Sequence, residues 1–236
     1  MTVAEQTQPQ PEPEPEPEAE AEVRRRSRSS FWKELPILLA AAIVVAILVR
    51  TFVLQTYYVP SGSMEHTLNI NDRVLVNKLA YDFHDPHRGD VIVFNSPVSW
   101  RTNQNEKVFV KRVIGTPGDT IVCCNAQGEL IINGVALDEP FILKDGEHND
   151  APLLPAQNGW SITVPQGRLW VMGDNRYDSE DSLARYNATG ENIQMSTIPI
   201  SSVIGRAFIR FWPVSRLDWL TTPSSFSKIP DAPPTG

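Results

Sequence analysis

The pattern of apolar and polar positions divides the chain into unlike parts. Leu35–Leu54 reads LPILLAAAIVVAILVRTFVL, an apolar run whose only charge, Arg50, lies close to one end. About 20 residues rising ~1.5 Å each cross the ~30 Å hydrocarbon layer of a bilayer, so the run predicts one transmembrane helix over 34–54. Pro36 near its start costs little, because first-turn N–H groups have no intrahelical partner. Arg50 has a stem long enough to reach the headgroups. Beyond the run the pattern changes to short segments with strand character: Asp72–Asn77, Val91–Phe94, Lys107–Ile114, Leu130–Ile132, Leu169–Met172 and Ala207–Phe211. Gly, Pro, Asn and Asp separate them, as in Pro117-Gly118 and Asn133-Gly134, and no long amphipathic helical pattern appears. These features predict a mainly β protein with antiparallel strands. From Thr221 the chain turns rich in Pro and Ser, which predicts a flexible tail over 221–236.

Ahead of the apolar run, residues 9–22 read PQPEPEPEPEAEAE. Alternating Pro and Glu has no apolar surface to bury, so residues 1–33 are expected to be a disordered tail ending in a basic flank. The formal net charge of -7 belongs to this tail: residues 1–22 hold seven Glu, and the rest of the chain carries 21 acids against 21 bases. A balanced remainder does not indicate nucleic-acid binding. No small-x-small cleavage site follows the apolar run, where Gln55, Thr56, Tyr57 and Tyr58 stand, so an uncleaved anchor is expected. Arg24, Arg25, Arg26, Arg28 and Lys33 precede the run. The positive-inside rule then puts the N-terminus in the cytoplasm and residues 55–236 outside.

The two cysteines, Cys123 and Cys124, are adjacent. Neighbours are badly placed to bridge each other, since a disulfide normally needs about 4.4–6.8 Å between Cα atoms. Two thiols are also too few for a structural zinc site. They read as two small residues in or near a strand.

Three segments carry candidate chemistry. In Pro60-Ser61-Gly62-Ser63-Met64 the proline fixes its own φ and extends Val59, and Gly62 lets the backbone turn or a ligand approach. A serine so presented becomes a nucleophile only with a base in reach. In Val108–Ile114 alternate residues share a face. Lys111 therefore sits with apolar Phe109 and Val113, and Arg112 with Val110 and Ile114. Burial disfavours the ammonium and lowers its pKa, which makes an amine able to take a proton at neutral pH. The polar run Gly173–Ser182 follows the apolar strand Leu169–Met172 and offers hydroxyls and carboxylates to orient such an amine. His66, three residues from Ser63 on the same short segment, is the alternative base, but no orienting carboxylate for it is evident nearby. His84, His87 and His148 lack metal-ligand spacing, so neither metal nor cofactor is expected.

Taken in order, the stretches PSGSMEHTL (60–68), NDRVLVNKLAY (71–81), RGDVIVF (88–94), VKRVIGTPGDTI (110–121), LDEPF (137–141), GDNRYDSEDS (173–182) and IGRAFIRFWP (204–213) resemble the type I signal peptidase family. The resemblance implies an antiparallel β-sheet peptidase domain over 55–220 with a small β-rich insertion at 123–165. It implies Ser63 as nucleophile and Lys111 as general base. Ser61 would add its hydroxyl to the oxyanion hole beside the Ser63 N–H. Ser179 would hydrogen-bond the Lys111 amine, and Asp181 would support that loop. Tyr57, Val59, Met64, Leu68 and Phe109 are the implied lining of two shallow pockets for small residues. The implied substrates are signal peptides of exported preproteins, met at the lipid bilayer. A single span is similar to the single-span bacterial members and implies the bacterial cytoplasmic membrane. A membrane-tethered binding protein that kept the fold but lost catalysis is the alternative. Two positions depart from the family pattern. Leu183 stands where an arginine usually pairs the aspartate, leaving Arg185 nearest to Asp181, and His66 stands where proline is common.

Overall fold

The structure, a computed structural model, describes residues 34–142 and 159–232. The expected tail at 1–33, with its basic flank, lies outside the described residues. So do 143–158 of the expected insertion and 233–236. The chain forms two units, 1–49 and 50–236. In the first, α1 (34–48) is exposed along its whole length. The helical residues Glu34–Val53 are long and apolar enough to cross a membrane.

The second unit is built from strands β1 (Leu54–Tyr58), β2 (Arg73–Asn77), β3 (Val91–Asn95), β4 (Val108–Gly115), β5 (Thr120–Cys123), β6 (Ile131–Ile132), β7 (Val135–Ala136), β8 (Trp160–Thr163) and β9 (Arg168–Met172). Helices α2 (Ser182–Ala188) and α3 (Ile193–Ser196) follow, then β10 (Ile198–Pro199), β11 (Val203–Trp212) and β12 (Asp218–Trp219). The larger sheet has the order β1-β2-β11-β3-β4-β9-β10, with β12 beside β11. The smaller has the order β7-β6-β5-β8. Every pairing is antiparallel. The mainly β reading therefore holds, and five of the six segments read from the sequence match a strand to within a residue or two: β2, β3, β4, β6 and β9. β11, at ten residues, is twice the length expected.

Alternation explains how the larger sheet is covered on both faces. Along β3, Val91 and Val93 enter one apolar cluster with Val59, Met64, Leu68, Val74 and Val76. Ile92 and Phe94 enter another with Trp100, Val113, Leu169 and Val171. Ile114 on β4 reaches a third cluster shared with the smaller sheet, where Ile121, Leu130 and Ile132 meet Trp170. β4 is thus the element common to all three, contributing Val110, Val113 and Ile114 to them in turn.

Two expectations are corrected. The described part of the expected flexible tail is packed: Ser224–Lys228 forms a helical turn, and Phe226 and Ile229 are buried in the third cluster. Two apolar side chains spaced for one turn outweigh the Pro/Ser composition around them. Cys123 and Cys124 are joined as a disulfide with Cα atoms 3.0 Å apart. Their peptide bond is cis, and the Cα separation lies below the range usual for disulfides. The polar run ends in α2, a helix of seven residues, too short to register as a period in the sequence.

Gly205 of β11 lies against β2, where a Cβ would stand 2.3 Å from the Asn77 carbonyl oxygen. Backbone cannot yield as a side chain does. Gly205→Ala is expected to destabilise the fold by about 1–3 kcal/mol through overpacking, read as a lower denaturant midpoint. An unchanged midpoint would show that the two strands have room to part.

Candidate active site

Strand pairing carries the chain from β1 into the serine segment. The Val59 N–H donates to the Asp72 carbonyl (2.9 Å), and the Asn71 N–H donates to the Val59 carbonyl (2.9 Å), so pairing continues one residue beyond Tyr58. Pro60 ends it. A turn follows, with the Glu65 N–H on the Gly62 carbonyl (3.0 Å) and the Leu68 N–H on the Met64 carbonyl (2.7 Å). Met64 and Leu68, one turn apart, both point into the core and are fully buried. They anchor the segment and leave Ser63 at its rim, 7% exposed.

Lys111 arrives from β4, opposite Ile92 of β3. Its side chain is buried, and Nζ lies 2.6 Å from Ser63 Oγ. The amine is 5.6 Å from the centre of the Phe109 ring, its neighbour on the same strand face. Burial drives the Lys111 pKa down from 10.5 to about 8. The carboxylates of Asp181, Asp174, Glu180 and Asp178 hold it partly up, and desolvation wins.

The loop 173–182 closes the other side. A Cβ on Gly173 would stand 2.3 Å from the Ser63 carbonyl oxygen and 2.4 Å from Ser179 Oγ. Only glycine lets the loop come this near. The Asn175 N–H donates to the Ser63 carbonyl (3.1 Å) and its Nδ2 to the Gly62 carbonyl (3.2 Å), pinning the backbone under the serine. Ser179 Oγ is buried and has no hydrogen-bond partner among the described residues, so the expected bond to Lys111 is not formed here. Asp181 caps α2. Its carboxylate accepts from the N–H groups of Gly173 (3.0 Å), Leu183 (3.0 Å) and Ala184 (3.2 Å). Arg185 does not take the place of the arginine absent at Leu183. It pairs instead with Glu180 (2.6 Å) and the Trp100 carbonyl (3.0 Å). Backbone donors thus occupy the carboxylate that an arginine was expected to meet.

A cleft of about 440 Å³ opens at this point, reached by Ser63 and Lys111. Tyr57, Val59 and Phe109 line it, as does the exposed Ser61. Met64 and Leu68, implied as pocket residues, lie behind it in the core instead, because the turn directs both inward. One edge of β4 runs along the cleft. β9 pairs only with Arg112, Val113 and Gly115, so Val108–Lys111 has no strand on that side among the described residues. His66 is exposed, and its carbonyl accepts from Arg216 (3.2 Å). No carboxylate orients its ring among the described residues.

Sequence reasoning missed the ion pair beneath the site. Arg112 grips Asp174 through Nε (2.8 Å) and Nη2 (2.6 Å), and its Nη1 donates to the Gly89 carbonyl (2.8 Å). Thr67, on the serine segment, donates to the same carboxylate (2.5 Å). Both side chains are buried. The strand pattern placed Arg112 on the face opposite Lys111, which was the one available signal, and nothing local pointed to Asp174 as its partner.

The profile of the family described as signal peptidase, peptidase S26, matches residues 32–212. The probable signal peptidase I-2 of Synechocystis sp. is 39% identical over 193 residues, covering 82% of this chain and 79% of its own. The signal peptidase I of Mycobacterium tuberculosis (strain H37Rv) is 36% identical over 222 residues, covering 80% and 75%. A crystal structure of a signal peptidase I from Enterococcus faecalis V583 aligns at 30% identity with a TM-score of 0.37, over 51% of this chain and 95% of its own.

Proposed function

This chain belongs to the signal peptidase family, peptidase S26, and from that premise we propose that it is a membrane-tethered serine endopeptidase that removes signal peptides from exported preproteins. The observation that carries the proposal is the 2.6 Å contact between Ser63 Oγ and the buried amine of Lys111. A neutral Lys111 takes the hydroxyl proton as Ser63 Oγ attacks the scissile carbonyl. The developing oxyanion accepts from the Ser63 N–H and the Ser61 hydroxyl, an arrangement of donors typically worth about 3–4 kcal/mol per donor at the transition state. The lysine then returns the proton to the leaving amine. Water, deprotonated by the same amine, releases the acyl-enzyme. Ser179, beside Gly173, would turn its free hydroxyl to the amine and aim it, and Asp181 holds the loop that carries Ser179.

The open edge at Val108–Lys111 suits an extended substrate, which would add as a strand with alternate residues facing the cleft. Walls from Tyr57, Val59 and Phe109 favour small residues before the scissile bond, of the Ala-x-Ala type. The apolar span at 34–54 tethers the catalytic domain that follows it beside the bilayer. The basic residues ahead of the span orient it with the N-terminus cytoplasmic and the catalytic domain outside the bacterial cytoplasmic membrane.

Wild type should cut a peptide bearing Ala-x-Ala before the scissile bond. Ser63→Ala should abolish cleavage, and Lys111→Ala should lower it by about 10²–10⁴-fold, the usual weight of general-base catalysis. Full activity in Lys111→Ala would sink the dyad, and a His66→Ala variant as dead as Ser63→Ala would transfer the role to histidine.

The pH dependence follows from the Lys111 shift. Only the neutral amine accepts a proton, and it predominates above its pKa of about 8. kcat/KM should therefore rise with pH through that value. A rate that peaks near pH ~5 would contradict an amine base, since the ammonium predominates there.

A further inference from the structure

The smaller sheet contributes a strap, Leu137–Phe141, that runs from β7 to the underside of the site. Leu137 is fully buried, and its N–H donates to the Leu130 carbonyl (2.8 Å), which fixes the strap to the sheet. Two of its side chains then reach arginines, one in the loop after β9 and one on β4 itself. Glu139 accepts from Arg176, whose Nη1 lies 3.2 Å from Oε2 and whose Nη2 makes a second, shorter bond to Oε1. Both side chains are almost wholly excluded from solvent, at 4% and 1%. Arg176 Nε donates to the carbonyl of Gly173 (3.1 Å), the residue packed against Ser63 and Ser179. Phe141 lays its ring over Arg112, with the guanidinium carbon 4.2 Å from the ring centre. Arg112 follows Lys111 in β4 and holds Asp174, which in turn holds Thr67 of the serine segment. Neither Glu139 nor Phe141 lines the cleft.

We infer that Glu139 and Phe141 are positioning residues, a clamp from the smaller sheet that locks Arg176 and Arg112 and through them holds Ser63 and Lys111 at reacting distance. The inference rests on the proposed Ser63–Lys111 reaction. Each arginine is buried with one carboxylate partner, so its position is set by whatever covers it. With Glu139 gone, Arg176 is an uncompensated buried charge, and the loop that carries it must shift to hydrate it. With the Phe141 ring gone, the guanidinium of Arg112 loses the surface that excludes water from one of its faces. Either change loosens the floor under Ser63. Catalysis is steep in that coordinate: a misplacement of about 1 Å costs on the order of 100-fold.

Loosening also admits water to Lys111, which moves its apparent pKa up towards the ordinary lysine value. The groups that face the amine are Ser63, the Phe109 ring and the carboxylates of Asp174, Asp178, Glu180 and Asp181. None of these is altered by changing the strap. A direct charge effect of removing Glu139 would act the other way, since losing an anion favours the neutral amine.

The test uses the full chain in detergent, with active sites titrated, a peptide bearing Ala-x-Ala, and the variants Phe141→Leu, Glu139→Gln and Glu139→Asp. Phe141→Leu and Glu139→Gln should lower kcat by about tenfold or more with KM changed by less than about twofold, as for a lost transition-state geometry. In both, the midpoint of the pH–rate profile should move alkaline, and Glu139→Asp should recover part of kcat. Phe141→Leu keeps every charge and most of the volume, so it carries the test if Glu139→Gln does not fold. A lower thermal transition with kcat per active site and pH midpoint unchanged would overturn the inference, leaving the strap a purely structural element. An inactive wild type, or a fully active Lys111→Ala, would overturn the proposed reaction itself and is distinct from either result.

Discussion

Arg112 and Asp174 meet in a bidentate ion pair that solvent does not reach, and the site is built around it. The pair joins β4, which carries Lys111, to the loop that follows β9. Through Thr67 it also joins the segment that carries Ser63. Such a pair adds little net stability, because desolvating two charges costs about what their attraction returns. What it supplies is register. A guanidinium with two parallel bonds to one carboxylate and a third to the Gly89 carbonyl has a single position, and Lys111 is its neighbour along the strand.

Lys111 itself shows how one side chain is held between opposing effects. Four carboxylates lie near enough to favour the ammonium, yet burial still brings the pKa to about 8. The drop from 10.5 amounts to about 3 kcal/mol of lost preference for the charged form. Three of the four are occupied elsewhere: Asp174 by Arg112, Asp181 by backbone N–H groups, and Glu180 by Arg185. Their charge is spent on architecture, and the amine faces Ser63 Oγ.

Much of this was legible in the chain. The apolar run, the short strands and the placement of Lys111 beside Phe109 on one strand face follow from local periodicity, which depends on neighbours two to four positions away. The structure places Tyr57, Val59, Phe109, Ser61, Ser63 and Lys111 at one cleft. Other residues were misread for identifiable reasons. Met64 and Leu68 looked like pocket residues, yet one helical turn directs both inward. Asp181 lacked its expected arginine, but its sequence context, Asp-Ser-Leu-Ala, is also that of a helix N-cap, and the structure uses it so. The Pro/Ser-rich end seemed loose because composition averages over Phe226 and Ile229, the two residues that dock it.

The sequence by itself determined the elements and which face of each is apolar, since both follow from interactions within a few residues. Tertiary structure alone decided the partners. Ser63 and Lys111 are 48 positions apart, Arg112 and Asp174 are 62 apart, and Glu139 and Arg176 are 37 apart. No periodicity extends across such intervals. Which buried charge meets which carboxylate is settled only when three apolar clusters close on β4 from both faces and leave each polar group one place to be satisfied.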